Sequence, residues 1–387
     1  MNIGLVIYGS LDTLSGGYFY DRKLVEYLCG QGDNVEIISL PWRNYAAHLT
    51  DNFWFRLWSP GARSRTGQQA VRLQKYDILI QDELNHPSLI AANAGKHFYP
   101  LVSLVHHLRC SELRPSWQNT FYRFVEKKYL QNVDGFIFNS EMTKNVVNGL
   151  MDHGKPSIVA CPPADRFGEM ISEKEIIERA QNPVLRILFL GNVIRRKGLQ
   201  TLLKAISILH RSSFILDVVG SLKSDPEYSK RMQKFIETNG LSSSVFLHDA
   251  LNNQPLIKLL KQSHVLVVPS SYEGFGIVYL EGMGFGLPAI GTIAGAASEI
   301  ITSGVNGYLI QPDDAQTLAK HLSDLAADRN LLIRLSINAL RRFRKQPKWE
   351  ETAKSIREFL HVIARGDNPE TIHKTEKEIA SPQNGSQ

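Results

Sequence analysis

Cysteine is scarce in this sequence: Cys29, Cys110 and Cys161 are the only three in 387 residues, and no C-x-x-C occurs. So sparse and odd a set excludes a disulfide framework and a thiolate zinc site, and predicts a reducing, cytoplasmic address. Long apolar runs are missing too; nothing approaches the roughly 18 residues that a membrane-spanning helix needs. Met1 to Tyr8 has no basic leader and Asp12 follows soon after, so no secretory signal is expected. Neither sign of charge dominates: 44 Lys+Arg stand against 38 Asp+Glu, a net +6. That mild excess, with no long basic run, argues against nucleic acid as a partner. The densest basic stretch, Arg341 to Lys345, closes a helical pattern, where cations complement the helix dipole. A hydrophobic share of 43% supplies enough apolar material for two cores.

The order of apolar runs gives the architecture. A strand over Ile3 to Tyr8 leads through a Gly-bearing loop to a helix over Tyr20 to Cys29, with Leu24, Val25 and Leu28 on one face. A strand over Val35 to Leu40 completes a βαβ unit, which implies a right-handed crossover and a parallel sheet. Strands are predicted over Asp77–Ile80, Leu101–Val105, Gly135–Phe138 and Ser157–Ala160, and a helix over Trp117 to Leu130. Cys161-Pro162-Pro163 then breaks the alternation, because two prolines continue neither helix nor central strand. It begins afresh with a strand over Arg186 to Leu190 and a helix over Leu199 to His210. Strands over Ile215–Val219, Val245–Leu247 and Val265–Val268 follow. The fold class is α/β, with two Rossmann-like, doubly wound parallel-sheet domains. Predicted boundaries are 1–165 and 184–346, then a helix over 347–363 that returns to the first domain. A polar tail over 366–387 has almost no bulky apolar residues and is expected to be disordered.

In open parallel sheets ligands bind beyond the carboxyl ends of the strands. After the strand ending at Val268 comes Pro269-Ser270-Ser271-Tyr272-Glu273-Gly274-Phe275-Gly276-Ile277, a polar turn and two glycines running into a helix over Ile277 to Gly284. Free amides at a helix start favour phosphate, and glycines let a ligand reach the main chain. Glu281 lies inside that helix, where a carboxylate is costly unless something polar meets it. Gly282 and Gly284 cost roughly 1 kcal/mol each against Ala, which makes sense if the helix crowds a neighbour or a ligand. A second strand-to-helix loop, Gly191-Asn192-Val193-Ile194-Arg195-Arg196-Lys197-Gly198, is basic, as a diphosphate site or a solvated loop would be.

Glu273 to Glu281 resembles the E-x7-E signature of retaining nucleotide-sugar glycosyltransferases of family 4, which have the GT-B fold: two Rossmann-like domains facing each other across a cleft. Gly286-Leu287-Pro288, Gly295-Ala296-Ala297-Ser298-Glu299, Asp217-Val218-Val219-Gly220 and Asp165-Arg166-Phe167 are similar to that family's pattern as well. The likeness is close over 186–312, loose over the first half and absent from the tail. It implies a retaining hexosyltransferase with a nucleotide-sugar donor (UDP- or GDP-linked), acting in polysaccharide, glycolipid or other glycoconjugate synthesis, with no cofactor and no metal. The implied catalytic residues are Glu273, His106, Lys197 and Arg196. Glu273 would bind sugar hydroxyls, Glu281 the ribose, and the amides of Gly274, Phe275, Gly276 and Ile277 the diphosphate. Lys197 stands where the family has a lysine, but Asn192 stands where it has an arginine; Arg195 or Arg196 would supply the missing cation. Gly16 and Gly17 either close over the diphosphate or form a plain turn, and either His106 or His107 faces the sugar.

Other features keep two readings. Asp82 to Pro87 is an acceptor-recognition loop or a surface turn, and Glu299 a site residue or a dipole partner at a helix start. Residues 53–65, aromatics interleaved with arginines, are a peripheral membrane contact at the inner face, suited to a lipid-linked rather than a saccharide acceptor, or a loop packed on the first domain. Asp313-Asp314 reads as a helix N-cap rather than a metal site. The rival functions are a catalytically weak nucleotide-sugar-binding protein and an NAD-dependent Rossmann oxidoreductase. Against the latter, neither domain's first loop spells G-x-G-x-x-G with an acid about 20 residues on.

Overall fold

The computed structural model describes residues 1–13, 15–55, 76–152, 154–163, 165–167, 171–209 and 214–366. Most of segment 53–65, and the tail beyond Gly366, therefore lie outside the described residues.

The first lobe is a six-stranded, all-parallel sheet in the order β2-β1-β3-β4-β5-β6. Its strands are β1 (Asn2–Tyr8), β2 (Asn34–Leu40), β3 (Ile78–Asp82), β4 (Leu101–Val105), β5 (Gly135–Phe138) and β6 (Ser157–Val159). Every residue of β3, β4 and β5 is buried, since helices cover both faces of the sheet. Those helices are α1 (Gly16–Gly30), α2 (Tyr45–Phe55), the short α3 (His86–Leu89), α4 (Ser116–Leu130) and α5 (Glu141–Leu150). Helix α1 starts four residues earlier than Tyr20, because Ser15 caps it by accepting from the Tyr18 amide.

The second lobe repeats the design in the order β12-β11-β10-β7-β8-β9. Its strands are β7 (Leu185–Leu190), β8 (Phe214–Val219), β9 (Val245–His248), β10 (Val265–Val267), β11 (Ala289–Thr292) and β12 (Gly307–Ile310). Around them pack α6 (Glu173–Ala180), α7 (Leu199–Ile208), α8 (Pro226–Thr238), α9 (Asn253–Gln262), α10 (Ile277–Gly284), α11 (Ala315–Ala327) and α12 (Arg329–Arg344). Asp314 caps α11 by accepting from the Thr317 amide. Strand order reverses between β7 and β10, so the loops after these two strands flank the crevice where such sheets bind ligands.

The last helix, α13 (Trp349–Arg365), leaves the second lobe and packs on the first. Its Ala353, Ile356, Phe359, Leu360 and Ile363 join Ile3, Leu5, Leu24 and Ile137 in one core. The chain thus crosses between lobes twice, near Pro162 and near Gln346, and Gln346 Nε2 donates to the Pro162 carbonyl at 2.9 Å. Phe359→Ala should cost about 3–5 kcal/mol, as a large core truncation does. A thermal midpoint within a degree of the parent would show that α13 is dispensable to the first lobe.

Candidate active site

The two loops at the strand-order reversal are bound to each other. The Ser271 amide donates to the Arg196 carbonyl at 2.8 Å, and Arg196 Nη1 donates to the Tyr272 carbonyl at 2.7 Å. Gly198, at φ +75°, lies so close to Pro269 that a Cβ there would sit 2.0 Å from the Pro269 oxygen. Glu273 is buried where the loops meet. Its Oε1 accepts from Lys197 Nζ at 2.5 Å and from Ser270 Oγ at 2.6 Å, and Arg196 lies 3.8 Å from Oε2. Burial alone would raise the carboxyl's pKa, but Lys197 and Arg196 outweigh it and hold Glu273 at about 2. Glu273 is therefore a carboxylate at neutral pH, and Lys197 and Arg196 are its neutralising cations.

Eight residues on, in α10, Glu281 is also buried. Arg166, from the crossover between lobes, donates to its Oε1 at 3.3 Å and reaches Asn253 Oδ1 at 2.9 Å. Burial raises the Glu281 pKa, and Arg166 offsets part of that rise. The glycines of α10 are there for contact: a Cβ on Gly282 would come 2.9 Å from Leu266, and one on Gly284 3.0 Å from Phe343. The helix is pressed onto β10 and α12.

The first lobe faces these groups. His106, just after β4, is nearly buried; its Nε2 lies 3.0 Å from Asp21 Oδ1 and its amide donates to Glu83 Oε2 at 2.9 Å. Burial lowers the pKa of His106, yet Asp21 outweighs it and the net shift is upward. Gly17 lies over the imidazole, and a Cβ there would be a tight fit, 3.2 Å from His106 Cδ2. Asp82 and Glu83 are buried, so the segment after β3 is no surface turn. Burial, reinforced by Asp21, raises Asp82 to about 7. Asp21, Asp82 and His106 bring potential ligand atoms within 4.8 Å of one another, and are the described residues that could hold a metal ion. Asp21 Oδ2 and Asp82 Oδ2 are buried with no hydrogen-bond partner, an arrangement that favours the neutral form of Asp82.

The lobes touch at the site. A Cβ on Gly274 would stand 2.4 Å from the His106 oxygen and 2.9 Å from His107 Cβ, so a side chain there would hold them apart. Ser140 Oγ donates to the Gly274 carbonyl at 2.9 Å. Glu299 accepts from the amides of Glu141 and Met142 at 3.1 and 2.7 Å. It is a helix-dipole partner, but for α5 of the opposite lobe.

The structure gathers Glu273, Lys197, Arg196, Gly274 and His106 at one interface, with Gly16 lying 3.6 Å (from its Cβ position) from Ile277 Cγ2. His107 lines it too, its ring 6.1 Å from that of Tyr272, while its Nε2 is 3.2 Å from Glu112. Arg195 is exposed, so Arg196 is the cation of that pair that faces inward. Asn192 Oδ1 accepts from the Ser221 amide at 3.4 Å. Phe275 is buried in the second lobe's core, leaving its main chain to face the cleft. A cavity of about 750 Å³ lies elsewhere, at the amino ends of β4 and β5, and takes none of these residues. Sequence reasoning missed Asp21, although the signal was present: an acid three and seven residues before Leu24 and Leu28 sits on the apolar face of α1. Ser140 and Ser270 carried no comparable signal.

The family model described as glycosyl transferases group 1 matches residues 172–342, and that of glycosyltransferase family 4 matches residues 20–162. The MMP alpha-(1->4)-mannosyltransferase of Mycolicibacterium hassiacum is 30% identical over 311 residues, 76% of this chain and 73% of its own. An uncharacterized glycosyltransferase of Methanocaldococcus jannaschii is 29% identical over 177 residues, 46% of this chain and 48% of that protein. The chain spans about half the length of the first curated relatives it matches. Among solved structures, sucrose-phosphate synthase from Thermosynechococcus elongatus superposes with a TM-score of 0.76 at 19% identity, covering 95% of this chain and 100% of that one. Anabaena HepE, solved with UDP and glucose, gives 0.70 at 18% identity, covering 93% and 99%.

Two outcomes follow from the geometry. With its folded pKa above the ordinary 6.5, His106 contributes stability that is complete below the free imidazole's pKa and lost as pH rises through the raised value. Asp21→Asn should bring the His106 ring titration down, and an unchanged NMR titration would break the assigned pairing. Gly274→Ala should leave the thermal midpoint in place yet lower turnover on the order of a hundredfold, since an ångström of misplacement at a reacting centre costs that much; parental turnover would mean that this contact does not govern closure.

Proposed function

We propose, for a chain that belongs to the GT-B glycosyltransferases of group 1 and family 4, that it moves a hexose from a UDP- or GDP-sugar to an acceptor with retention of anomeric configuration. The observation that carries this reading is the buried Glu273 carboxylate, kept ionised by Lys197 and Arg196 at the mouth of α10. Departure of a nucleoside diphosphate builds negative charge on the phosphates and positive charge on the sugar ring. Lys197, Arg196 and the amides from Gly274 to Ile277 serve the first charge. Glu273 accepts sugar hydroxyls, and its negative charge favours the oxocarbenium-like ring. His106, held by Asp21, presents a ring whose pKa is shifted upward, toward the charged form that favours a developing anion. In Glu281, Arg166 takes Oε1, and the second oxygen is assigned to the ribose hydroxyls. With fixed cations at the diphosphate, the transfer requires neither a metal ion nor another cofactor. HepE, solved with UDP-glucose, supports a nucleotide-sugar donor. The named activities of relatives, a mannosyltransferase and D-inositol 3-phosphate glycosyltransferases, support a hydroxyl-bearing acceptor.

A nucleotide-sugar-binding protein with little turnover is the second reading; it is favoured by Asn192, whose amide oxygen is turned to Ser221 rather than replaced by an arginine's charge. A screen of UDP-, GDP- and ADP-sugars with saccharide and lipid-extract acceptors separates the two: release of nucleoside diphosphate fits the transferase, and tight donor binding without release fits the binder. Glu273→Gln should reduce transfer by about a thousandfold, the scale of losing one transition-state electrostatic contact. Lys197→Ala should weaken donor binding as well as turnover. Parental rates in Glu273→Gln would remove the carboxylate from the mechanism.

A further inference from the structure

Helix α4 buries Val125, Tyr129 and Leu130 against the first lobe. Its opposite face is also apolar: Trp117, Phe121 and Phe124 are 71%, 46% and 58% exposed. A solvated helix places polar residues there. At 3.6 residues per turn, positions 117, 121, 124 and 128 fall within an arc of about 60°. The three aromatics and Lys128 thus form one stripe pointing away from the core, and Leu113, three residues ahead of the helix, is exposed as well.

The charge on this helix has one sign. Arg123, Lys127 and Lys128 are exposed, and the Lys128 ammonium lies 4.5 Å over the Phe124 ring. The sole acid of α4, Glu126, is buried and accepts from the amides of Arg109 and Cys110, so it offers nothing to the surface. Aromatics with cations and no exposed acid match the interface of a bilayer bearing anionic headgroups. A second copy of this chain, itself at net +6, would bring positive charge to a positive stripe. Position supports the same partner. Glu112, just ahead of α4, holds His107 at 3.2 Å, and His107 faces Tyr272 across the cleft, so the stripe starts at the cleft rim. Among the described residues no helix is long and apolar enough to cross a membrane; this contact lies on the surface.

We infer that α4 docks the protein on an anionic lipid surface through Trp117, Phe121 and Phe124, with Arg123, Lys127 and Lys128 meeting the headgroups and the cleft rim held at headgroup level. The inference stands apart from the transferase reading, because lipid binding needs no donor. Cosedimentation of the full chain with vesicles of phosphatidylcholine alone, or mixed equally with phosphatidylglycerol, tests it. Binding should favour the anionic vesicles and weaken with salt. Trp117→Ser with Phe124→Ser should lower partitioning about tenfold or more at an unchanged thermal midpoint. Lys127→Gln and Lys128→Gln should each weaken binding about fivefold, on anionic vesicles only. Three results overturn the proposal: no binding by the parent, parental binding by the double aromatic variant, which would move the contact elsewhere, for example to residues 53–65, or a dimer in light scattering that the same variant abolishes.

Discussion

A carboxylate cannot be taken out of water without compensation, and Glu273 shows how much structure that requirement recruits. Ser270 and Lys197 bind its Oε1 while Arg196 approaches Oε2. To bring Lys197 and Arg196 there, the β7 loop must lie directly on the β10 loop, which is why Gly198 has no space for a side chain beside Pro269. The Glu273 main chain is fixed from the other side by Ala294 and Ala296, through bonds of 3.2 and 2.8 Å. The second lobe is built so that an acid and two cations share one small volume next to free helix amides.

The first lobe answers with a different charge economy. Around His106 it buries Asp21, Asp82 and Glu83; burial pushes the pKa values of Asp82 and Glu83 upward, and the His106 amide bonds Glu83. On this side of the cleft burial and Asp21 push the Asp82 pKa upward and Asp21 pushes that of His106 upward, whereas on the other Lys197 and Arg196 hold Glu273 down. Between the two, contact depends on residues that add almost no bulk: Gly17 over the imidazole and Gly274 against the strand end that carries it.

Much of this was legible in the letters. Leu101–Val105 and Gly135–Phe138 were read to the residue, because buried parallel strands are short continuous apolar runs bounded by polar turns. Helix ends were harder: the α1 start depends on the Ser15 cap, which lies before any apolar periodicity begins. Glu281 was detectable as a charge in an apolar helix, and Asp21 could have been found on the same ground. Arg166 as the partner of Glu281 could not, since 115 residues separate them and nothing local links them. Glu299 was legible as a dipole partner, but the helix it serves belongs to the other lobe, a fact that only the fold contains.

The return of α13 to the first lobe gives the second lobe two covalent tethers. Gln346 bonds the Pro162 carbonyl, and Thr352 Oγ1 donates to the Cys161 carbonyl at 3.2 Å, so the outgoing and incoming strands of chain run side by side. Two adjacent tethers act as a clasp: they resist sliding and twisting of one half against the other and leave a swing about a single line as the easiest motion. Glu299 belongs to that clasp: Arg342 joins its carbonyl, at 3.2 Å, to Gln346 Oε1, at 2.9 Å, so the grip of Glu299 on α5 sits beside the line of the swing and moves little as the halves part.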